Sequence, residues 1–243
     1  PDNFVGDTTL WWLEDRKADS PFFLQIGFPG PHPPYDPTSD FLELYKDVEF
    51  PHRAPLKDEL SQQPSMHGQL RQSMMKFNID SVAWRAEITD EDIQRLQHYY
   101  SANISMIDHK VGQIFSSLEK RGYLENTIVI FCSDHADALG EHGHIQKWTM
   151  YDCVTRVPLV FWAPQRIREN QQCDDLVQLM DLAPTILDFA GIKTPDNWEA
   201  LPLNKMLVDG SWGTEGPEKT LRKYVYAELG RDHIQSGAEY VIM

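Results

Sequence analysis

Apolar positions follow two rhythms along the first half of the chain. Residues 22–28 (FFLQIGF) form a short apolar run without helical period between Pro21 and Pro29, which predicts a buried strand. The run opens into Gly30-Pro31-His32-Pro33-Pro34-Tyr35, a stiff loop that cannot extend a sheet because proline has no N–H to donate. From residue 89 to 122 the period changes. Ile93, Leu96, Tyr100, Ile104, Ile107, Val111, Ile114 and Leu118 recur at steps of three and four, which puts them on one helical face. Thr89 with Asp92 has the spacing of a capping box, Asp90 and Glu91 suit the positive end of a helix, and Gly122 supplies a left-handed stop. Residues 127–132 (TIVIFC) then read as a strand buried on both faces, with Cys132 as a buried thiol. Helix, short turn and buried strand is the grammar of a parallel α/β sheet.

The second half repeats that grammar. Residues 157–162 (VPLVFW) predict another buried strand. Residues 175–190, closed by Gly191, predict an amphipathic helix in which Pro184 marks a fresh start. Residues 224–229 (YVYAEL) predict a further strand, and the stretch ending at Met243 an edge strand that stops before its partner. Between the two rhythms, residues 36–88 are rich in Pro, Gln, Met and charge. They read as a long excursion with short helices, of the kind that often walls a pocket. The chain opens on Pro1 rather than Met, and the following DNFVGD reads as a helix beginning in mid-protein, with any targeting signal upstream; the compartment stays undecided.

Charge narrows the partners. Twenty-two Lys and Arg stand against 37 Asp and Glu, a net charge of −15. Such a surface repels nucleic acid and anionic membrane, and no run of 18 apolar residues is present to span one. A site for an anion on this background must be made locally positive, which a divalent cation with a few His or Lys would do. The three cysteines, Cys132, Cys153 and Cys173, are odd in number and show no CxxC spacing.

In open α/β sheets, ligands gather at the carboxyl ends of strands. Two loops occupy that position: Gly30-Pro31-His32-Pro33, and the stretch from Ser133 to Lys147. The second holds three histidines, three acids and a lysine within fifteen residues. Hard cations want carboxylate oxygen, a neutral imidazole can complete the shell, and Lys147 would offset charge on a tetrahedral anion. Taken singly, each residue has a plainer explanation. An Asp after a strand commonly caps a helix, a His in a proline-rich loop is commonly solvated, and a lone Lys commonly sits in solvent. Their arrangement is what shifts the balance.

Several stretches, in order, carry a family resemblance. Tyr99-Tyr100-Ser101-Ala102 through Ile107-Asp108, Val111-Gly112 and the run from Leu124 to Phe131 resemble the helix-to-strand passage of sulfatases. Ser133-Asp134-His135, Leu139-Gly140-Glu141-His142-Gly143, Lys147 and Arg156-Val157-Pro158-Leu159-Val160 are similar to their metal-site signature. Pro31-His32-Pro33-Pro34-Tyr35 resembles their substrate-binding histidine loop, and the run from Leu179 to Asp188 with Ala190-Gly191 the helix that follows. The resemblance covers about residues 1–230.

This resemblance implies an α/β fold of the alkaline phosphatase superfamily: a mixed, mostly parallel sheet flanked by helices. Residues 1–200 would form the C-terminal part of the catalytic domain, and residues 201–243 the start of a small α+β subdomain. It implies that Asp134 and His135 ligate one divalent metal, calcium first, with manganese or magnesium as alternatives. Lys147 would contact the sulfate group and the nucleophile, and His32 would bond the ester oxygen and assist the leaving group. The four residues are expected to open into one crevice.

Departures from the family pattern matter too. Family members carry C-x-P-x-R or S-x-P-x-R, whose Cys or Ser is oxidised to formylglycine, the nucleophile as its hydrate. Here Cys153 is followed by Val154-Thr155-Arg156 and Cys173 by Asp174-Asp175-Leu176, so the motif is absent. The paired aspartates of the N-terminal strand are absent as well, and both are expected upstream of Pro1. Ala136 replaces the glycine usual after Asp-His, which would tighten the backbone there.

The activity this resemblance implies is metal-dependent hydrolysis of a sulfate ester, with a sulfated glycan as the favoured substrate, completed by an N-terminal segment of the same protein. Phosphonate monoester or phosphodiester hydrolysis is the rival within enzymes, and a non-catalytic module the rival outside them. Trp84, Trp148 and Trp198 could form a carbohydrate-stacking wall, although tryptophans are more often core.

Overall fold

A computed structural model describes residues 1–17, 20–51, 55, 58–77, 89–210, 222–229 and 239–242. Helix α1 (Asp2–Asp15) opens the chain, and three short helices follow in the excursion: α2 (Ser39–Glu43), α3 (Glu59–Gln62) and α4 (Ser65–Phe77). The long helix α5 (Asp90–Lys120) leads to strand β1 (Val129–Cys132), helix α6 (Asp152–Thr155) and strand β2 (Leu159–Trp162). Helices α7 (Leu182–Phe189) and α8 (Asn204–Asp209) and strands β3 (Tyr226–Leu229) and β4 (Glu239–Ile242) complete it. Among the described residues no helix is long and apolar enough to cross a membrane. The chain divides into two units, one of residues 1–125 with 136–154, the other of residues 126–135 with 155–243.

In the first unit, α5 begins where its capping chemistry places it. Thr89 Oγ1 accepts from the Asp92 N–H at 3.2 Å and Asp92 Oδ2 accepts from the Thr89 N–H at 3.1 Å, the reciprocal pair of a capping box. Gly122 adopts φ 69° just past the last turn. Of the predicted face, Ile93, Leu96, Ile107, Ile114 and Leu118 are buried, whereas Ile104 is exposed. Ile114 and Leu118 meet Leu13 of α1, and Leu10, Trp12, Phe22, Ile26, Phe28, Tyr123 and Leu124 pack around them. Gly6 lets the helices approach: a Cβ there would lie 2.7 Å from Lys110 Cδ.

Residues 22–28 differ from the expected strand. They are extended and alternate strictly between half-buried even positions and exposed odd ones, but join no ladder among the described residues. Phe22, Ile26 and Phe28 face the α1–α5 core. Packing on helices thus replaces sheet pairing as what holds them straight.

The second unit revises the sheet. β1 and β2 pair antiparallel, with Val129 opposite Trp162 and Cys132 opposite Leu159, and β3 pairs antiparallel with β4, Tyr226 opposite Ile242. The fold is α/β, but the ladders among the described residues are not the parallel ones expected. A continuous apolar run states that a strand will be covered and leaves its direction open, which is why the sequence misleads here. Nor is β1 covered on both faces: Phe131 is 48% exposed and Cys132 is exposed rather than a buried thiol. β4 has its partner in β3, contrary to an edge strand stopping short of one. The helix expected from residue 175 starts later, with a 3-10 turn over Leu179–Asp181 running into α7, and Pro184 sits in the first turn, where its missing N–H costs nothing. Asp181, fully buried, anchors this region by accepting from Arg222 Nη2 at 2.7 Å and from the Leu201 N–H at 2.9 Å.

Candidate active site

The loop of His32 starts from α1. Asp2, only 1% exposed, accepts from the Gly30 N–H through Oδ1 at 2.8 Å. Position 30 must be glycine for that contact, because a Cβ would stand 2.7 Å from Asp2 Oδ2. The Gly30–Pro31 and Pro33–Pro34 peptides are cis. His32 Nδ1 lies 2.7 Å from the Pro33 carbonyl oxygen, which can only accept, so Nδ1 carries the proton and Nε2 presents its lone pair. Lys147 Nζ donates to that Nε2 at 3.2 Å. Two residues 115 positions apart in sequence are thereby in contact, and Lys147 brings positive charge to the surface of a strongly acidic chain.

Lys147 is held by a loop closed on one carboxylate. Asp137 Oδ1 accepts from the N–H of Leu139 at 2.9 Å and of Gln146 at 2.8 Å, while Oδ2 accepts from the Tyr35 hydroxyl at 2.7 Å. Backbone bonds from Ala138 to Gln146 and from Gly140 to His144 zip the loop between them. Gly140, at φ 97°, lies against Ile93, where a Cβ would approach within 2.9 Å. Trp148 lies beside Lys147, its ring centre 5.9 Å from Nζ. Tyr100 packs edge-on to Tyr35 at 6.3 Å, and its phenol is pushed up to about 12, first by burial and then by the Asp137 carboxylate.

Asp134 and His135 belong to the second unit, at the carboxyl end of β1. The Asp134 side chain is 85% exposed, and its Oδ2 lies 3.6 Å from His135 Nε2. Oδ1 accepts from the His135 N–H at 2.9 Å, and Ser133 Oγ donates to the His135 carbonyl at 2.8 Å. Two ligands sharing one hard cation at ordinary bond lengths stand about 3.4 Å apart, so the pair fits part of a shell that takes six to eight donors. Ala136 has no left-handed φ, and its N–H donates to the Val154 carbonyl at 2.9 Å, so alanine is accommodated without strain.

The structure thus joins His32 to Lys147 within the first unit and Asp134 to His135 within the second. Three supporting residues went unrecognised in the sequence: Asp2, Tyr35 and Asp137. Asp137 had a readable signal, since an acid among Ala136, Ala138 and Leu139 needs donors to be buried. Tyr35 and Asp2 had none beyond their place beside the loop. Of the tryptophans, Trp148 is in the first unit, Trp198 is exposed in the second, and Trp84 lies outside the described residues. A separate group, Glu141, His142 and Cys153, places ligand-type atoms within 4.8 Å of one another. His142 is bonded there to Glu59 and stacked on Tyr151 at 3.9 Å. The Cys153 thiol is pushed up to about 11 by burial first and by Glu141 second.

An α/β chain of this kind has well-defined relatives. The family model described as Sulfatase matches residues 1–192. The arylsulfatase of Clostridium perfringens is 30% identical over 231 residues, covering 94% of this chain and 44% of that protein. The phosphonate monoester hydrolase of Agrobacterium radiobacter superposes with a TM-score of 0.81 at 25% identity, covering 96% of this chain and 46% of the other. A solved complex with its substrate D-glucosamine-2-N,6-O-disulfate superposes at 0.77 with 22% identity, covering all of this chain and 58% of that one. The chain therefore has the α/β fold of the alkaline phosphatase superfamily and belongs to the sulfatase family. It spans less than half the length of the curated arylsulfatase it matches.

Proposed function

We propose that this chain supplies part of the active site of a sulfuric ester hydrolase, whose nucleophile, a formylglycine, lies in a segment preceding residue 1. The observation that carries this reading is the Lys147–His32 contact at 3.2 Å in a chain of the sulfatase family. A sulfate oxygen can take the place of the His32–Lys147 hydrogen bond, so that the ammonium faces the anion and the imidazole the ester oxygen. Lys147 then offsets the charge of the transferring group, and His32, once Nε2 has taken up a proton from solvent, would give that proton to the leaving oxygen. Asp134 and His135 would hold one divalent cation, calcium first, with manganese or magnesium as alternatives; when bound, it would polarise the ester and neutralise its charge. Trp148 beside Lys147 is a face on which a sugar ring could stack, and a sulfated glycan is the favoured substrate class, in line with the disulfated glucosamine bound by one structural neighbour.

The chain alone is expected to show no multiple turnover, because it offers two metal ligands and no nucleophile. Multiple-turnover sulfate release by the isolated chain with calcium would overturn that expectation. In the complete protein, aryl sulfate hydrolysis that fails in Lys147→Ala and His32→Ala supports the reading; unchanged rates in either variant refute it. Phosphonate monoester hydrolysis is the second reading, favoured by the superposition on the Agrobacterium enzyme. Competing aryl sulfate against aryl phosphonate decides between them through the ratio of kcat/KM.

A further inference from the structure

Between His32 and Lys147 runs one short covalent and hydrogen-bonded path. Lys147 follows Gln146, whose N–H is bonded to Asp137; Asp137 is bonded to the Tyr35 hydroxyl; and Tyr35 lies three residues after His32. Tyr35 is 5% exposed and Asp137 8%. A carboxylate so deeply buried is costly unless its lone pairs are met, and here one hydroxyl and two backbone N–H groups meet them at 2.7–2.9 Å. The two backbone donors shape the Lys147 loop. The hydroxyl does something different: it reaches across 102 residues of sequence to the His32 loop. Asp2 fixes the other end of that loop at Gly30.

We propose that Tyr35 and Asp137 are positioning residues, and that their buried hydrogen bond holds the His32 and Lys147 loops at the spacing in which the two side chains meet. The inference deepens the hydrolase reading and rests on it for its kinetic consequence, though not for its structural one. Both are buried, so neither is cast as a contact to the anion. Losing the bond frees the loops to separate, and misplacement of about 1 Å in a preorganised site costs roughly 100-fold in rate.

Tyr35→Phe is the decisive variant, because it deletes the hydroxyl and keeps the ring packed against Tyr100. In the complete protein kcat should fall roughly 10- to 100-fold with KM within about threefold. The thermal midpoint should move by only a few degrees. Asp137→Asn should lower kcat as well, and the double variant should be no slower than Asp137→Asn alone, since both changes break one link. In the chain of residues 1–243, NMR signals of the His32 ring and the Lys147 ammonium should both shift in Tyr35→Phe. A Tyr35→Phe protein with unchanged kcat and unchanged His32 and Lys147 signals would overturn the proposal, as would a loss of rate matched by a collapse of the thermal midpoint. A wild-type complete protein that cleaves no sulfate or phosphonate ester would defeat the hydrolase reading, and the NMR comparison would still decide whether the bond sets the two loops.

Discussion

Support around His32 and Lys147 is drawn from several distant parts of the chain, whereas the Asp134 carboxylate stands in solvent beside the His135 N–H it accepts from. The first pair stands on buried Asp2, Tyr35 and Asp137, on Gly30 and Gly140 pressed against side chains, and on a helix whose cap is complete. In the second pair Asp134 accepts from the His135 N–H, Ser133 donates to the His135 carbonyl, and the Asp134 carboxylate faces solvent. The difference teaches how two chemistries are prepared. On the proposed reading, a lysine and a histidine that meet a moving charge gain from being fixed beforehand, while ligands of a hard cation are drawn into order by the cation itself.

The largest test of that contrast is chemical. In the complete protein, Lys147→Ala and Asp134→Ala should each lower kcat by roughly 10²- to 10³-fold. Excess calcium should restore part of the Asp134→Ala rate and none of the Lys147→Ala rate; steady-state assays across a calcium series check this, and equal rescue of both would erase the distinction. Next comes packing in the two units. Leu13→Ala, at a fully buried core position, should destabilise by about 3 kcal/mol, whereas Phe131→Ala on half-exposed β1 should cost under about 1 kcal/mol. Denaturant titration of the chain measures both, and a larger loss at Phe131 would reverse the ranking. Thr89→Ala, which removes the cap of α5, should cost about 1 kcal/mol in the same experiment. The smallest effect is in reactivity. At pH 8 exposed Cys132 should label faster than Cys153, whose thiol is raised to about 11, and the gap should narrow as pH climbs toward that value. Mass spectrometry of peptides after timed alkylation reads the order directly.

How far the sequence carried depended on the range of the interaction. The α5 capping box and its core face were legible because they rest on residues three and four apart. Gly122 and Gly191 were legible as helix stops for the same reason, and both adopt left-handed φ. Strand direction was not, since an apolar run such as 127–132 fits either ladder. Burial of Cys132 was misjudged by reading an apolar neighbourhood as an interior. Within the site, the residue types that do chemistry drew notice through their density, and His32 and Lys147 do meet. What holds them is a tyrosine and an aspartate 102 residues apart, and no local pattern announces a contact over that distance.

The phenol of Tyr100 has a consequence for the behaviour of the molecule in alkali. Up to about pH 10 it is protonated whether the chain is folded or not, so it leaves stability unchanged. Between pH 10 and about 12 the unfolded chain ionises this ring and the folded chain does not, so hydroxide is consumed by unfolding and each rise in pH favours the open state. Tyrosinate absorbance should therefore lag for one ring until the protein unfolds, and the denaturation midpoint should fall across that window. An assay of the complete protein in strong base would therefore meet a scaffold weakened by the ionisation of one buried ring.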